Sequence, residues 1–202
     1  MTIRKGEDWG SEIVIPEGIV VAADDEALFS HLNSGVIPAS IAVLSGDLAR
    51  TVSSSADSSR YRHGERAIGA PLDLLEVTHD GGVHCAASHV VARRSWLRGP
   101  VIVVANAQFI GEWDVAPRSH PNDGYMDITE VDESMSPGQR LLARRRLPTA
   151  THLPHPGLRT LRSREQSWDF AKSLDLFVDG VRIGRTRRLA VRVLADATSI
   201  IF

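Results

Sequence analysis

The sequence predicts an α+β protein in which a short strand–helix–strand unit precedes a β-rich sandwich. Three observations carry that prediction. Two short apolar runs, residues 18–22 and 41–44, have the length and composition of buried strands and flank a segment with helical spacing. From residue 70 onward the apolar runs stay short and are punctuated by turn dipeptides, among them Asp80-Gly81, Asp123-Gly124 and Asp179-Gly180. A single helical signal, near residues 137–147, interrupts that series. The chain divides accordingly into an α/β unit (residues 1–52), a linker (53–69) and a sandwich or barrel (70–202).

Each element has its own warrant. Asp24, Asp25 and Glu26 place acids where a helix N-terminus favours them, and Ala27, Leu28 and Leu32 follow at helical spacing up to Asn33-Ser-Gly35. A strand–helix–strand of this length implies a parallel strand pair. Residues 53–66, rich in serine and without a period, read as a loop. Residues 72–77 and 83–91 flank Asp80-Gly81-Gly82 as a hairpin, residues 101–107 form another buried run, and residues 125–131 follow the Asn122-Asp123-Gly124 turn. Residues 174–178 meet Asp179-Gly180, and Leu189, Val191 and Val193 alternate with Arg188, Ala190 and Arg192 as in a half-buried strand. Ser136-Pro137-Gly138-Gln139 has the capping-box form with proline in the first turn, and Pro148 is expected to stop the helix.

Composition narrows the function classes. With 202 residues, 43% of them hydrophobic, the chain is long enough for a sizeable core. A net charge of −2 argues against nucleic acid as a partner. Of 23 basic residues only Lys5 and Lys172 are lysines, the bias of a GC-rich genome. The single cysteine, Cys85, excludes an internal disulfide and fits a reducing compartment. Arg4, Lys5, Glu7 and Asp8 lack the apolar run of a signal peptide, and no stretch approaches a transmembrane segment, so a cytoplasmic protein is expected.

Three segments carry further information. Gly46-Asp47-Leu48-Ala49-Arg50-Thr51 follows a buried strand directly. Val103-Val-Ala-Asn106 is followed by Gly111, Ala116-Pro117 and then Asp123-Gly124-Tyr-Met-Asp127. Leu176-Phe-Val-Asp179-Gly180 comes near the C-terminus. In order and spacing they resemble the bacterial diacylglycerol kinase and lipid kinase family, from about residue 18 to the end. The first resembles the family's Gly-Thr-x-Asn-Asp-Phe-Ala-Arg loop, and the second its Asn, Ala-Pro and Asp-Gly-x-Leu-Asp stretch. The third resembles its Asp-Gly-Glu motif. The resemblance implies nucleotide-binding roles for Asp24, Gly46, Asp47 and Arg50, a magnesium site at Asp123, and Asp179 as general base on a lipid hydroxyl.

The departures are physical. The family's Gly-Gly-Asp-Gly-Thr loop falls at Ala22-Ala23-Asp24-Asp25-Glu26, where only Asp24 matches. Ala22 and Ala23 carry Cβ atoms where backbone amides should crowd a phosphate, and Asp25 and Glu26 put negative charge in its place, which argues against ATP. Val181 replaces the last Glu of the third motif. The family's α/β domain is also longer than what precedes residue 19, so only its last part is expected. The expected function is that of a degenerate lipid-kinase relative that binds a lipid, a phosphorylated small molecule or a protein partner without catalysis. The alternative is an ATP-dependent lipid kinase completed by homo-oligomer formation or a partner chain, and a third is an assembly module without a small ligand.

Four further features have bland and sharp readings. His120, His152 and His155 in proline-rich loops have zinc-ligand types, though loop histidines more often cap backbone groups. His84, Cys85 and His89 fall on an expected strand, where packed, hydrogen-bonded histidine is the simpler reading. Arg140 with Arg144, Arg145 and Arg146 makes a basic helix patch, either a solvated face or a surface for anionic lipid. Trp9, Trp96, Trp113 and Trp168 are dispersed and read as core anchors.

Overall fold

The computed structural model describes residues 9–202, so the N-terminal charges read above for targeting lie outside the described residues. The strand–helix–strand unit comprises β2 (Val20–Ala22), α1 (Asp25–Leu32) and β3 (Ser40–Val43), with α2 (Asp47–Val52) directly after it. Strand β1 (Ser11–Val14) precedes it; its four residues, two polar and two apolar and mostly exposed, carry no alternation that signals a strand. The remaining strands are β4 (Arg66–His79), β5 (Gly82–Ala86), β6 (His89–Arg93), β7 (Val101–Ala105), β8 (Phe109–Ile110) and β9 (Trp113–Asp114). They continue with β10 (Met126–Val131), then α3 (Pro137–Arg146), β11 (Leu158–Ser163), β12 (Glu165–Val178) and β13 (Val181–Ile201).

One sheet runs β1-β4-β13-β12-β6-β7-β10-β11, with β5 added beside β4. The pair β2–β3 is parallel, as the crossover helix requires, with Val20 opposite Ile41. Strand β3 in turn pairs in parallel with the end of β13, Ile41 opposite Ile200, which makes the small unit an extension of the large sheet. The sheet folds over on itself. Leu75 and Val77 of β4, Val90 of β6, Val104 of β7, Ile128 of β10, Leu176 of β12 and Val191 of β13 meet in one buried cluster. A second cluster seats α1 and α2 on the sheet through Leu28, Leu32, Leu48, Leu72 and Ile200. Each large side chain buried in this way contributes about 1.5–3 kcal/mol.

Local chemistry sets the corners. Asp179 and Gly180 both have positive φ, +47° and +83°, as a two-residue primed turn demands, and they join β12 to β13 with Val178 opposite Val181. The capping box of α3 is complete: Ser136 Oγ accepts from Gln139 N while Gln139 Oε1 accepts from Ser136 N. The α-helix ends at Arg146, just before Pro148 as expected, and a 3₁₀ turn over Leu147–Thr149 follows it. Within the expected linker, Ser58–Tyr61 forms a 3₁₀ turn that buries Tyr61, and β4 begins at Arg66. The expected strand over 83–91 is broken into β5 and β6 by Ala87-Ser88, whose amides are claimed by a side chain described below. No helix among the described residues is long and apolar enough to cross a membrane.

Candidate functional site

The junction of α1, α2 and the adjoining ends of β5 and β6 gathers three carboxylates, those of Asp25, Asp47 and Asp179. Asp25, in the first turn of α1, reaches the N-terminus of α2, where its carboxylate accepts from Asp47 N at 2.5 Å and Leu48 N at 3.3 Å. Ser88 Oγ donates to the same carboxylate at 2.7 Å. Gly46, at φ +101°, makes this approach possible, because a Cβ there would strike the Asp25 carboxylate. Asp24 stays outside the junction and caps α1, its Oδ1 accepting from Ala27 N at 2.8 Å.

Asp47 and Arg50 both grip Gly111 rather than each other. Asp47 Oδ1 accepts from Gly111 N at 2.6 Å, and Arg50 Nη1 donates to Gly111 O at 2.7 Å while its guanidinium lies over Phe109. Thr51 Oγ1 adds a bond from Gln108 N, so α2 is docked onto the segment that carries β8. Burial pushes the Asp47 carboxyl up to about 6, against the pull of the Gly111 amide, and the nearby Asp25 charge adds to the rise.

Asp179 is 2% exposed, and its two oxygens accept from three consecutive amides: Ala87 N at 2.8 Å, Ser88 N at 2.9 Å and His89 N at 2.9 Å. That cage breaks the strand between β5 and β6. Asn106 closes it from the other side, donating from Nδ2 to Ala87 O and Asp73 O at 2.8 Å each. Burial pushes Asp179 up to about 7 despite the three amides, with the Asp25 charge adding to the rise. His89, also buried, has its Nδ1 3.5 Å from Asp47 Oδ2 and without a hydrogen-bond partner. Burial pushes the imidazole down to about 4, against the attraction of Asp25. His89 is therefore packed, as its sequence context suggested, but its ring nitrogen is not hydrogen-bonded.

Gly46, Asp47, Arg50 and Asp179 thus come together around Gly111 and the Ala87–His89 segment. Asp123 does not join them. Its Oδ1 accepts from Tyr125 N at 2.9 Å, and its Oδ2 meets Arg162 Nη2. Arg162 Nε also lies 3.9 Å from Asp127 Oδ1. A guanidinium between these two carboxylates supplies the positive charge that magnesium would bring, and a divalent cation there would face it directly. The residues at Asp123 do not fit the metal that the family resemblance implies. Nor do those at Asp25 fit a triphosphate, because the amides of Asp47 and Leu48 are already donating to a carboxylate.

Two positions take roles that the sequence does not show. The sequence places Asp25 at a helix N-terminus and as negative charge against a phosphate; its neighbourhood with Gly46 required the fold. Asp73, 1% exposed, accepts from Gly124 N at 2.7 Å, Asp196 N at 2.8 Å and Asn122 Nδ2 at 3.2 Å. A lone acid among the buried Leu72, Leu74 and Leu75 was its visible signal. Among the loop histidines, His120 and His155 accept from the amides of Asn122 and Gly157 through Nδ1. Among the described residues no group of three or more His, Cys, Asp or Glu is placed to hold a metal ion.

No protein-family model matches the chain, and no curated protein matches it. Solved structures do. Three of proteins assigned as diacylglycerol kinases from Bacillus anthracis str. Sterne superpose with TM-scores of 0.65, 0.63 and 0.65. They are 12%, 11% and 11% identical to this chain, and the match covers 91% of it and 77%, 76% and 76% of theirs. The chain has a diacylglycerol kinase-like fold. On that fold, Asp25, Asp47 and Asp179 lie close together where α1 and α2 meet the Ala87–His89 segment.

Proposed function

We propose that this protein has the diacylglycerol kinase-like fold without its catalysis: of the lipid, phosphorylated small molecule or protein partner that the sequence leaves open, the carboxylates here favour a lipid or a protein over a phosphorylated ligand. The observation that carries the reading is the Asp25 carboxylate seated on the amides of Asp47 and Leu48. Phosphoryl transfer needs donors and cations around the phosphates, with little else asked of the protein. In their place stand the carboxylates of Asp25, Asp47 and Asp179, each already accepting from backbone amides. Asp179 supports the same reading, since both its oxygens hold the Ala87–His89 amides and a lipid hydroxyl reaches them only if that segment opens.

One observation favours the kinase alternative: a carboxyl pushed up to about 7 has the proton affinity of a general base working near neutrality. Calorimetry with magnesium and ATP at millimolar nucleotide separates the two. The expected result is no saturable heat and no transfer of radiolabelled phosphate to diacylglycerol, at dilute and concentrated protein alike. Saturable binding with phosphate transfer at any concentration overturns the proposal, and appearance only in concentrated protein would identify a site completed between copies.

A further inference from the structure

Strands β8 and β9 stand apart from the large sheet. They pair only with each other, Phe109 opposite Asp114 and Ile110 opposite Trp113, around a turn at Gly111 and Glu112. Strands this short do not hold a hairpin in place in water, so its position is set by what grips it. The tip is gripped by α2: Gly111 N donates to Asp47 Oδ1 at 2.6 Å, and Gly111 O accepts from Arg50 Nη1 at 2.7 Å. The Arg50 guanidinium also lies 3.9 Å over the Phe109 ring, and Gln108 N donates to Thr51 Oγ1 just before the hairpin. Among the described residues, the hydrogen bonds that tie the hairpin to another element run to α2 and not to the large sheet.

The hairpin also supplies one wall of a cavity. An apolar space of about 80 Å³ is lined by Val103 of β7, Val131 of β10, Leu158 of β11, Ala143 of α3 and Trp113 of β9. The three strands are locked in the ladder of the large sheet. Helix α3 is bolted by Arg140, 4% exposed, whose Nε donates to Met135 O at 3.0 Å and Nη2 to Gly99 O at 2.6 Å and Asp132 O at 2.7 Å. Arg140 therefore leaves the basic patch in which the sequence placed it. Trp113 has no such anchor. It meets Trp96 edge to face at 5.2 Å and lies beneath the Arg144 guanidinium. Two of the four tryptophans that the sequence disperses come together at this wall.

One hairpin joins two places that the sequence keeps separate, the Gly46–Thr51 segment and the cavity beside α3. Its tip is held by charge-assisted hydrogen bonds, and its far end by ring contacts that are individually weaker. Without the grip on Gly111, only those ring contacts keep Trp113 in the wall. A dry apolar cavity takes up compact apolar guests such as xenon. We infer that β8–β9 is a latched lid: Asp47 and Arg50 hold it shut on a cavity for a compact apolar guest, and loss of their grip on Gly111 opens that cavity. The two α2 side chains act on the cavity without lining it. The lid is independent of the ligand proposed for the protein as a whole.

Hydrogen exchange and nuclear magnetic resonance on the full chain test this. Arg50 is exposed, so Arg50→Ala removes the grip without cutting into the core. The amides of residues 109–114 should exchange faster by about tenfold or more, as the loss of a charged hydrogen bond requires, while those of β7 stay unchanged. Xenon under pressure should shift the indole signals of Trp96 and Trp113 in the wild type, not those of Trp9 and Trp168, and shift them less in Arg50→Ala. Equal exchange of residues 109–114 in the two proteins overturns the inference. So does faster exchange that extends equally to β7, which would make Arg50 a support of the whole fold. A xenon response absent from the wild type, or the same in both proteins, overturns it as well.

Discussion

The α1–α2 junction and the outer face of α3 handle charge in opposite ways. At the junction, the Asp25 and Asp179 carboxylates are consumed by backbone amides, three of them on Asp179 alone. On α3 the one inward guanidinium, Arg140, anchors the helix, while Arg145 and Arg146 face solvent beside two exposed leucines. A charge spent on internal amides holds a fold, and a charge left at the surface is available to a partner. The carboxylates in the region that carries the motifs are engaged within the fold, and the charges on the outer side of α3 are left at the surface.

The largest expected effect tests the inward half of that contrast. Asp179→Ala leaves three buried amides without an acceptor, each costing about 1–3 kcal/mol, so the urea midpoint should fall by the equivalent of about 3 kcal/mol or more. A loss under about 1 kcal/mol, with kinase activity at stake instead, would reverse the assignment of Asp179 as a structural cage.

A smaller effect is the pH dependence. Burial raises Asp47 to about 6, so the folded chain keeps a proton that the unfolded chain releases above its ordinary value of 3.8. The contribution is complete below 3.8 and is lost as pH rises through about 6; for Asp179 it is lost through about 7. His89, lowered to about 4, works the other way, losing its contribution as pH falls from 6.5 through 4. Two carboxyls outweigh one imidazole, so stability should decline between about pH 5 and pH 7. Asp47→Asn keeps an acceptor for Gly111 N and removes one titration. Its chemical-denaturation slope against pH in that window should be shallower than the wild type's, and an identical slope sinks the account.

The smallest effect is expected at the surface. Arg66 and Glu12 pair at 2.9 Å with side chains 79% and 61% exposed, and Arg66→Ala should change thermal stability by less than about 1 kcal/mol. A larger loss would show that charge on the outer strands is more than solvated decoration.

Much of the architecture was legible residue by residue. The parallel strand–helix–strand, the Asp80-Gly81 and Asp179-Gly180 hairpins and the capped α3 each rest on chemistry within a few residues. The apolar runs of residues 18–22 and 41–44 appear as β2 and β3. Strand β1 was not legible, because Ser11–Val14 pairs with β4 through its backbone and carries no apolar alternation. The break at Ala87-Ser88 was hidden for a related reason. Residues 83–91 read as one strand, and what splits them is the carboxylate of Asp179, more than 80 residues away. Arg140 could not be separated from Arg144, Arg145 and Arg146 by sequence, since only the carbonyls of Gly99, Asp132 and Met135 distinguish it.

By itself, then, the sequence determined the strand–helix–strand unit, the tight hairpins and the capped helix, because turns, caps and apolar periods are set by neighbours along the chain. It also determined the departure from the phosphate loop, since two alanines and two extra acids are visible without coordinates. Where each charge points was decided only by the tertiary structure. Asp25 becomes the occupant of a helix N-terminus through Gly46 and Ser88, and Asp123 becomes the partner of Arg162 through the pairing of β10 with β11. A carboxylate is an acceptor in any sequence; whether it receives a ligand or an amide depends on which backbone the fold brings within 3 Å.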